Sequence, residues 1–194
     1  MPTPSAALSE PALIERARAG DLDAFGLLVE SHSDRVYQTL RGFSLDPAEA
    51  EEVAQEVFLR AWRGLERFEG RAHLSTWLYR IAYNEAQRRL ARRPPPPATP
   101  GAGGEEAIAM LVDAPQRGPE ARALVREFET VARRALAQLP DEWRVAVVLR
   151  DIEGLSTEEA ATVVGVRQAA FKSRLHRGRM QLRELLEPYL ALSA

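Results

Sequence analysis

Apolar residues along this chain recur every three or four positions and almost nowhere alternate singly, a helical rhythm with little strand character. Phe25, Leu28, Val29, Val36, Tyr37 and Leu40 form one stripe, opened by a cap at Asp21 and closed at Gly42. Val53, Val57, Phe58, Ala61 and Trp62 form the next, behind the start signal Asp46-Pro47. A short helix precedes both, opening at Ser9 or Pro11 and ending at Gly20, and Ser75 caps a fourth. That helix must stop at Pro94-Pro95-Pro96-Pro97, because each proline lacks an N–H and disfavours helix in its predecessor. Past the prolines, Gly118-Pro119 opens a helix to Leu139 and Pro140-Asp141 another to Asp151. Ser156-Thr157-Glu158-Glu159 is a capping box, Gly165 ends its helix, and a long final helix runs from Arg167 towards Glu187. On this last helix Phe171, Leu175, Gly178, Leu182 and Leu185 share one stripe that faces the core. The pattern predicts an all-α chain: small helical domains at 1–93 and 119–194, joined by a flexible proline- and glycine-rich linker over 94–118.

Composition narrows the chemistry. The 194 residues include no cysteine, which removes disulfides, thiol nucleophiles and cysteine zinc sites. The three histidines, His32, His73 and His176, are too scattered for a metal centre, so neither metal nor cofactor is expected. No apolar run reaches the ~18–20 residues of a membrane span, and Met-Pro-Thr-Pro-Ser-Ala-Ala is no secretory signal. A soluble, intracellular protein without stable membrane insertion is expected. Net charge is only −2, yet the signs are separated. Residues 21–56 carry nine acids and two arginines, whereas residues 167–183 carry six basic residues and no acid. Such a chain can offer an acidic face to a protein and a basic face to phosphates.

Three stretches carry candidate chemistry. From Ser156 to Gln181, a capped helix, a Gly165-Val166 turn and a basic second helix have the layout of a helix-turn-helix. Opposite the core stripe lie Ala169, Lys172, Ser173, His176, Arg177 and Arg179, short residues for close approach and long basic ones for bases or phosphates. A solvated basic face is the alternative, but a stretch without acids over residues 167–183 forgoes i,i+4 pairing there, which favours DNA. Next, the helix after Ser75 is largely apolar except for a strip of Thr76, Arg80, Asn84 and Gln87, with Arg88 beside it. The loop before it, Leu65 to His73, holds Phe68, Gly70, Arg71 and His73, a set able to hold an unstacked base. Trp77 and Ile81 are read as core. Last, Glu51, Glu52 and Glu56 lie on one helix with no metal-ligand spacing nearby, so a protein-binding ridge or a solvated face is expected, not acid–base catalysis.

Three runs are distinctive together: Asp46-Pro47-Ala48-Glu49-Ala50-Glu51-Glu52-Val53-Ala54-Gln55-Glu56-Val57-Phe58-Leu59-Arg60-Ala61-Trp62, Ser75-Thr76-Trp77-Leu78-Tyr79-Arg80-Ile81-Ala82, and Phe171-Lys172-Ser173-Arg174-Leu175-His176-Arg177-Gly178-Arg179. In this order they resemble bacterial RNA polymerase sigma factors of the extracytoplasmic-function (ECF) class, in the sigma-70 family. The likeness covers roughly residues 10–93 and 119–190. It implies a region 2-like helical bundle, then a region 4-like helix-turn-helix. By position, Glu52, Gln55 and Glu56 match the helix that grips the β′ clamp of core polymerase, with the β subunit as a further partner. Arg80, Asn84, Gln87 and Arg88 match the helix that reads and opens the −10 element, and Phe68, Arg71 and His73 belong to the loop that captures a flipped base. Gln168, Ala169, Lys172, Ser173, His176 and Arg177 match the recognition helix on the −35 element. Many members have Gly-Thr-Val before the lysine where this chain has Ala169-Ala170-Phe171.

The resemblance implies a promoter-specificity subunit, cytoplasmic and without catalytic residues, that directs transcription initiation in a stress response. It also implies an anti-sigma factor able to hold it at the inner membrane. Two rivals stay open at this point. A free-standing helix-turn-helix repressor would dimerise on palindromic DNA. An enzyme with a DNA-binding appendage would need a phosphate-binding loop or nucleophile arrangement that the sequence lacks.

Overall fold

The computed structural model describes residues 9–93 and 130–190, and these contain helices and turns without a strand. The polyproline linker, the helix start at Gly118-Pro119, and Glu105, Glu106 and Asp113 lie outside the described residues. The first domain is built from α1 (Glu10–Arg18), α2 (Leu22–Gly42), α3 (Pro47–Gly64) and α4 (Leu74–Ala91), with a short 3-10 turn at Leu65–Arg67. The second has α5 (described at 130–137), α6 (Asp141–Val147), α7 (Thr157–Val164) and α8 (Gln168–Leu190).

The caps read from the sequence are made. Asp21 accepts the amide of Ala24 at 3.0 Å, and Ser156 with Glu159 closes a capping box. Asp46 and Glu49 form a second capping box that the sequence reading passed over. Three boundaries differ from expectation. His73, not Ser75, is the cap residue of α4, because the helix already begins at Leu74. The helix expected to reach Asp151 stops at Val147 and gives way to a wider π-turn, Val148–Ile152. There, Val145 to Leu149 are five consecutive buried residues, more than one helical face can hide, so neighbours wrap this segment all round. Finally, α8 runs through Pro188 to Leu190, since a proline near the end of a helix forfeits only one hydrogen bond.

The first core gathers Leu28, Val36, Leu40, Val53, Val57, Ala61, Leu78 and Ala82 between α2, α3 and α4. The second gathers Leu149, Leu155, Ala160, Val163, Phe171 and Leu175. The domains meet along a seam formed mainly by α2 and α4 on one side and α7 with the π-turn on the other.

Candidate nucleic-acid interface

The helix-turn-helix is assembled by backbone constraints before any surface residue matters. Gly165 adopts the left-handed conformation at φ 71°, which a β-carbon would disfavour. The amide of Val166 then bonds back to the Ala161 carbonyl at 3.0 Å, ending α7 and launching α8. Phe171 is fully buried and Leu175 is 6% exposed, so the predicted stripe does face the core. At Gly178 the packing is closer still. A β-carbon there would sit 2.9 Å from Val147 Cγ2 and 3.0 Å from the Trp143 carbonyl, so only glycine lets α8 press onto α6.

With that rotation fixed, Gln168, Ala169, Lys172, Ser173, His176 and Arg177 are all exposed along one side of α8. Lys172 and Arg177 have no acidic partner among the described residues. The neighbouring guanidiniums are different. Arg174 donates to Glu142 at 2.9 Å, and Arg179 donates to Asp151 at 2.9 Å, which raises its pKa further above the usual range. Arg179, placed on the free face by the helical wheel, is therefore an anchor between α8 and the π-turn.

On α4, Arg80, Asn84 and Arg88 are exposed, while Gln87 is half-buried at the seam. Arg88 pairs with Glu85, which Arg60 also holds at 2.8 Å. Thr76, read as part of the polar strip, is buried and donates to Glu159 at 3.1 Å. In the preceding loop, Arg71 is open and, among the described residues, pairs only with Glu69, at 2.7 Å; Gly70 has φ 69°, and His73 is exposed. Phe68 departs from expectation. It is 7% exposed, with its ring 5.1 Å from that of Trp77, and so offers no open stacking face here. Apolar burial against Trp77 wins over exposure, and Phe68 anchors the loop instead.

On α3, Glu52 and Gln55 are exposed and Glu56 is half-buried, while Val53 and Val57 point inward. Arg89 reaches Glu52 at 2.7 Å and Arg60 reaches Glu56 at 3.0 Å. Leu59 follows at the next turn of the same ridge and is 52% exposed, an apolar centre that the sequence reading missed. Its signal was available: Leu59 lies seven residues after Glu52 and four after Gln55, on their face. No cluster among the described residues could hold a metal ion.

A family model for sigma-70 region 2 matches residues 28–94, and one for sigma-70 region 4 matches residues 130–182. The RNA polymerase sigma-H factor of Pseudomonas aeruginosa is 38% identical over 92% of this chain and 94% of its own length. The chain is a sigma factor of the ECF class. The ECF sigma factor SigW of Bacillus subtilis is 32% identical over 89% of this chain and 94% of its own. Among solved structures, CnrH in complex with the cytosolic domain of CnrY is 27% identical, with a TM-score of 0.64, covering 91% of this chain and 96% of that one. The sigma factor RpoE of Bartonella quintana, at 23% identity and a TM-score of 0.62, shares the fold over 84% of this chain and 96% of its own. These likenesses run through both domains, so a free-standing repressor is not favoured. As a sigma factor, the protein binds core RNA polymerase and directs transcription initiation at promoters. Sigma factors are in general non-enzymatic regulators.

Proposed function

We propose that this sigma factor divides its work among three surfaces, assigned by residue. Glu52, Gln55 and Glu56, with Leu59 one turn further along the same ridge, grip the β′ clamp of core polymerase. Arg80, Asn84, Gln87 and Arg88, helped by Arg71 and His73, engage the −10 element and the strand opened there. Gln168, Ala169, Lys172, Ser173, His176 and Arg177 read the −35 element. The observation that carries this reading is the exposed face of α8, where Lys172 and Arg177 have no acidic partner among the described residues and stand opposite a core stripe fixed by Phe171 and Gly178. Unneutralised cations at helical spacing suit a phosphate-lined groove.

The chain makes no bonds itself, and polymerase performs the chemistry. Displaced bases held by α4 and its loop offset the unstacking of the duplex. Working on bacterial polymerase places the protein in the cytoplasm, and no described helix is long and apolar enough to cross a membrane. The sigma factor RpoE of Bartonella quintana was solved in complex with the anti-sigma factor NepR, and a protein regulator of that kind is part of this proposal. The domain limits proposed are 1–93 and 119–194, with 94–118 as the tether. Run-off transcription with purified core polymerase on a genomic promoter library tests the reading. New start sites should appear only when this chain is added, and identical starts with and without it would overturn it.

A further inference from the structure

Glu85 of α4 is only 8% exposed, and none of the three surfaces above uses it. A carboxylate is seldom buried unless its charge is matched by a partner. Here two guanidiniums converge on a single oxygen. Arg60 Nε of α3 lies 2.8 Å from Glu85 Oε1, and Arg88, one turn further along α4, donates to that same atom. Arg60 Nε also lies 3.0 Å from Glu56 Oε1, so carboxylates on both helices hold it in place. Stability alone is a weak reason for such a group, because an apolar residue at a buried ion-pair position often packs as well or better. What an apolar side chain could not do is fix the direction of Arg88.

Exposure separates the anchor from the group it anchors. The Arg88 side chain is 55% exposed and continues the line of Arg80 and Asn84 at four-residue spacing, while the carboxylate behind it is shielded. Arg80 has no acidic partner among the described residues and keeps the rotamer freedom of a long side chain. An arginine that meets a phosphate must give up that freedom on binding. Arg88 has already surrendered much of it to Glu85. A lone carboxylate would do this at the expense of the charge that phosphate attracts. Arg60 removes the conflict, since two guanidiniums on one carboxylate leave the group net positive.

We infer that Glu85 is a positioning residue: backed by Arg60, it holds the Arg88 guanidinium in a fixed and still cationic pose for a phosphate of the opened −10 strand. Glu85 itself touches no DNA. This rests on the reading of α4 as the −10 surface, and the experiment below separates the two.

Glu85→Gln keeps the shape and removes the charge. The two guanidiniums it releases are 44% and 55% exposed and take up water, so the chain should still fold. In the free chain, nitrogen relaxation of the arginine side chains should show a rigid Arg88 Nε–H that becomes mobile in Glu85→Gln. In holoenzyme, a promoter fragment opened by mismatches over the −10 element should bind Glu85→Gln roughly threefold to tenfold more weakly, the cost of ordering one long side chain. In an Arg88→Ala background, Glu85→Gln should add nothing, which a general loosening of α3 against α4 would not produce. Arg60→Gln is the second variant and carries the test if Glu85→Gln does not fold. It leaves Glu85 to neutralise Arg88, so binding should weaken and the salt slope should drop by about one, again only while Arg88 is present. A mobile Arg88 in the unmodified chain overturns the inference, as does tighter binding by Glu85→Gln. Losses that add to that of Arg88→Ala strike Glu85 alone and leave the −10 reading standing. Unchanged binding in Arg88→Ala itself withdraws Arg88 from the −10 surface and the inference with it.

Discussion

Arg89 of α4 and Glu52 of α3 form an ion pair at 2.7 Å, and the same guanidinium lies 3.4 Å from Glu49. The acidic ridge proposed to meet polymerase is therefore tied to the helix that carries the proposed −10 strip. Its carboxylates are pre-positioned, and an incoming cation must compete with Arg89 for Glu52.

Reversing the charge at Glu52 and Glu56 together, as Glu52→Arg and Glu56→Arg, should reduce capture of core polymerase by roughly tenfold or more, since two attractive contacts become repulsive. Exposed ion pairs contribute only about 0–1 kcal/mol each, so the melting temperature should move little. Pull-down and thermal unfolding of the same preparation check this. A large melting shift with equal loss of binding would mean the ridge is structural.

Deeper in the same network, Arg93 and Arg89 hold Glu49 while its carboxylate caps α3. The Arg93 guanidinium lowers the Glu49 pKa from 4.5 to about 2, with the Asp46 amide and Arg89 acting in the same direction. A depressed folded-state pKa contributes stability above the unfolded value and loses it as pH falls through the folded value. The stability gap between the unmodified chain and Glu49→Gln should be about 1–3 kcal/mol at neutral pH. It should shrink below pH 4.5 and close near pH 2. Urea unfolding of both proteins across that range measures it. A gap constant with pH would remove the charge from the account.

These residues also mark what the sequence made legible. Periodicity identified the core faces of α3 and α8, and local chemistry identified the caps at Asp21 and Ser156, because those contacts lie within a few residues. The buried Glu153 was not legible: it sits in a bend without periodicity, and the hydroxyls that donate to it, on Tyr79 and Thr39, are 74 and 114 residues away. Phe68 and Thr76 were misread for a related reason. A helical wheel or a loop composition gives the side chain and its direction, not what a distant segment brings to cover it. Arg179 likewise looked free until the π-turn delivered Asp151.

Two glycines of the second domain should respond differently to alanine. At Gly165 there is space for a β-carbon but φ is 71°, so Gly165→Ala should cost about 1–2 kcal/mol of backbone strain. At Gly178 the added carbon would meet Val147 and the Trp143 carbonyl at 2.9 and 3.0 Å, and backbone cannot step aside. Overpacking of this kind costs about 1–3 kcal/mol and sometimes more, so Gly178→Ala should be the more damaging. Thermal unfolding followed by circular dichroism gives the order, and the reverse order would mean α8 is not pressed onto α6.

Arg177 separates DNA reading from folding most cleanly. It is exposed on the side of α8 away from Phe171 and has no acidic partner among the described residues, so its removal leaves no buried group unsatisfied. Surface substitutions of that kind usually change stability by less than about 0.5 kcal/mol. If Arg177 contacts a base edge, Arg177→Ala should weaken promoter binding by the holoenzyme by about 1–3 kcal/mol and relax preference at one −35 position. If it contacts a phosphate instead, binding should fall uniformly across sequences and the salt slope should drop by about one. Competition binding on randomised −35 elements at two salt concentrations distinguishes these outcomes. Core polymerase capture should be unchanged in either case, because Arg177 lies on the second domain and the acidic ridge on the first. Loss of polymerase capture together with promoter binding would instead expose a folding defect and withdraw Arg177 from the reading face.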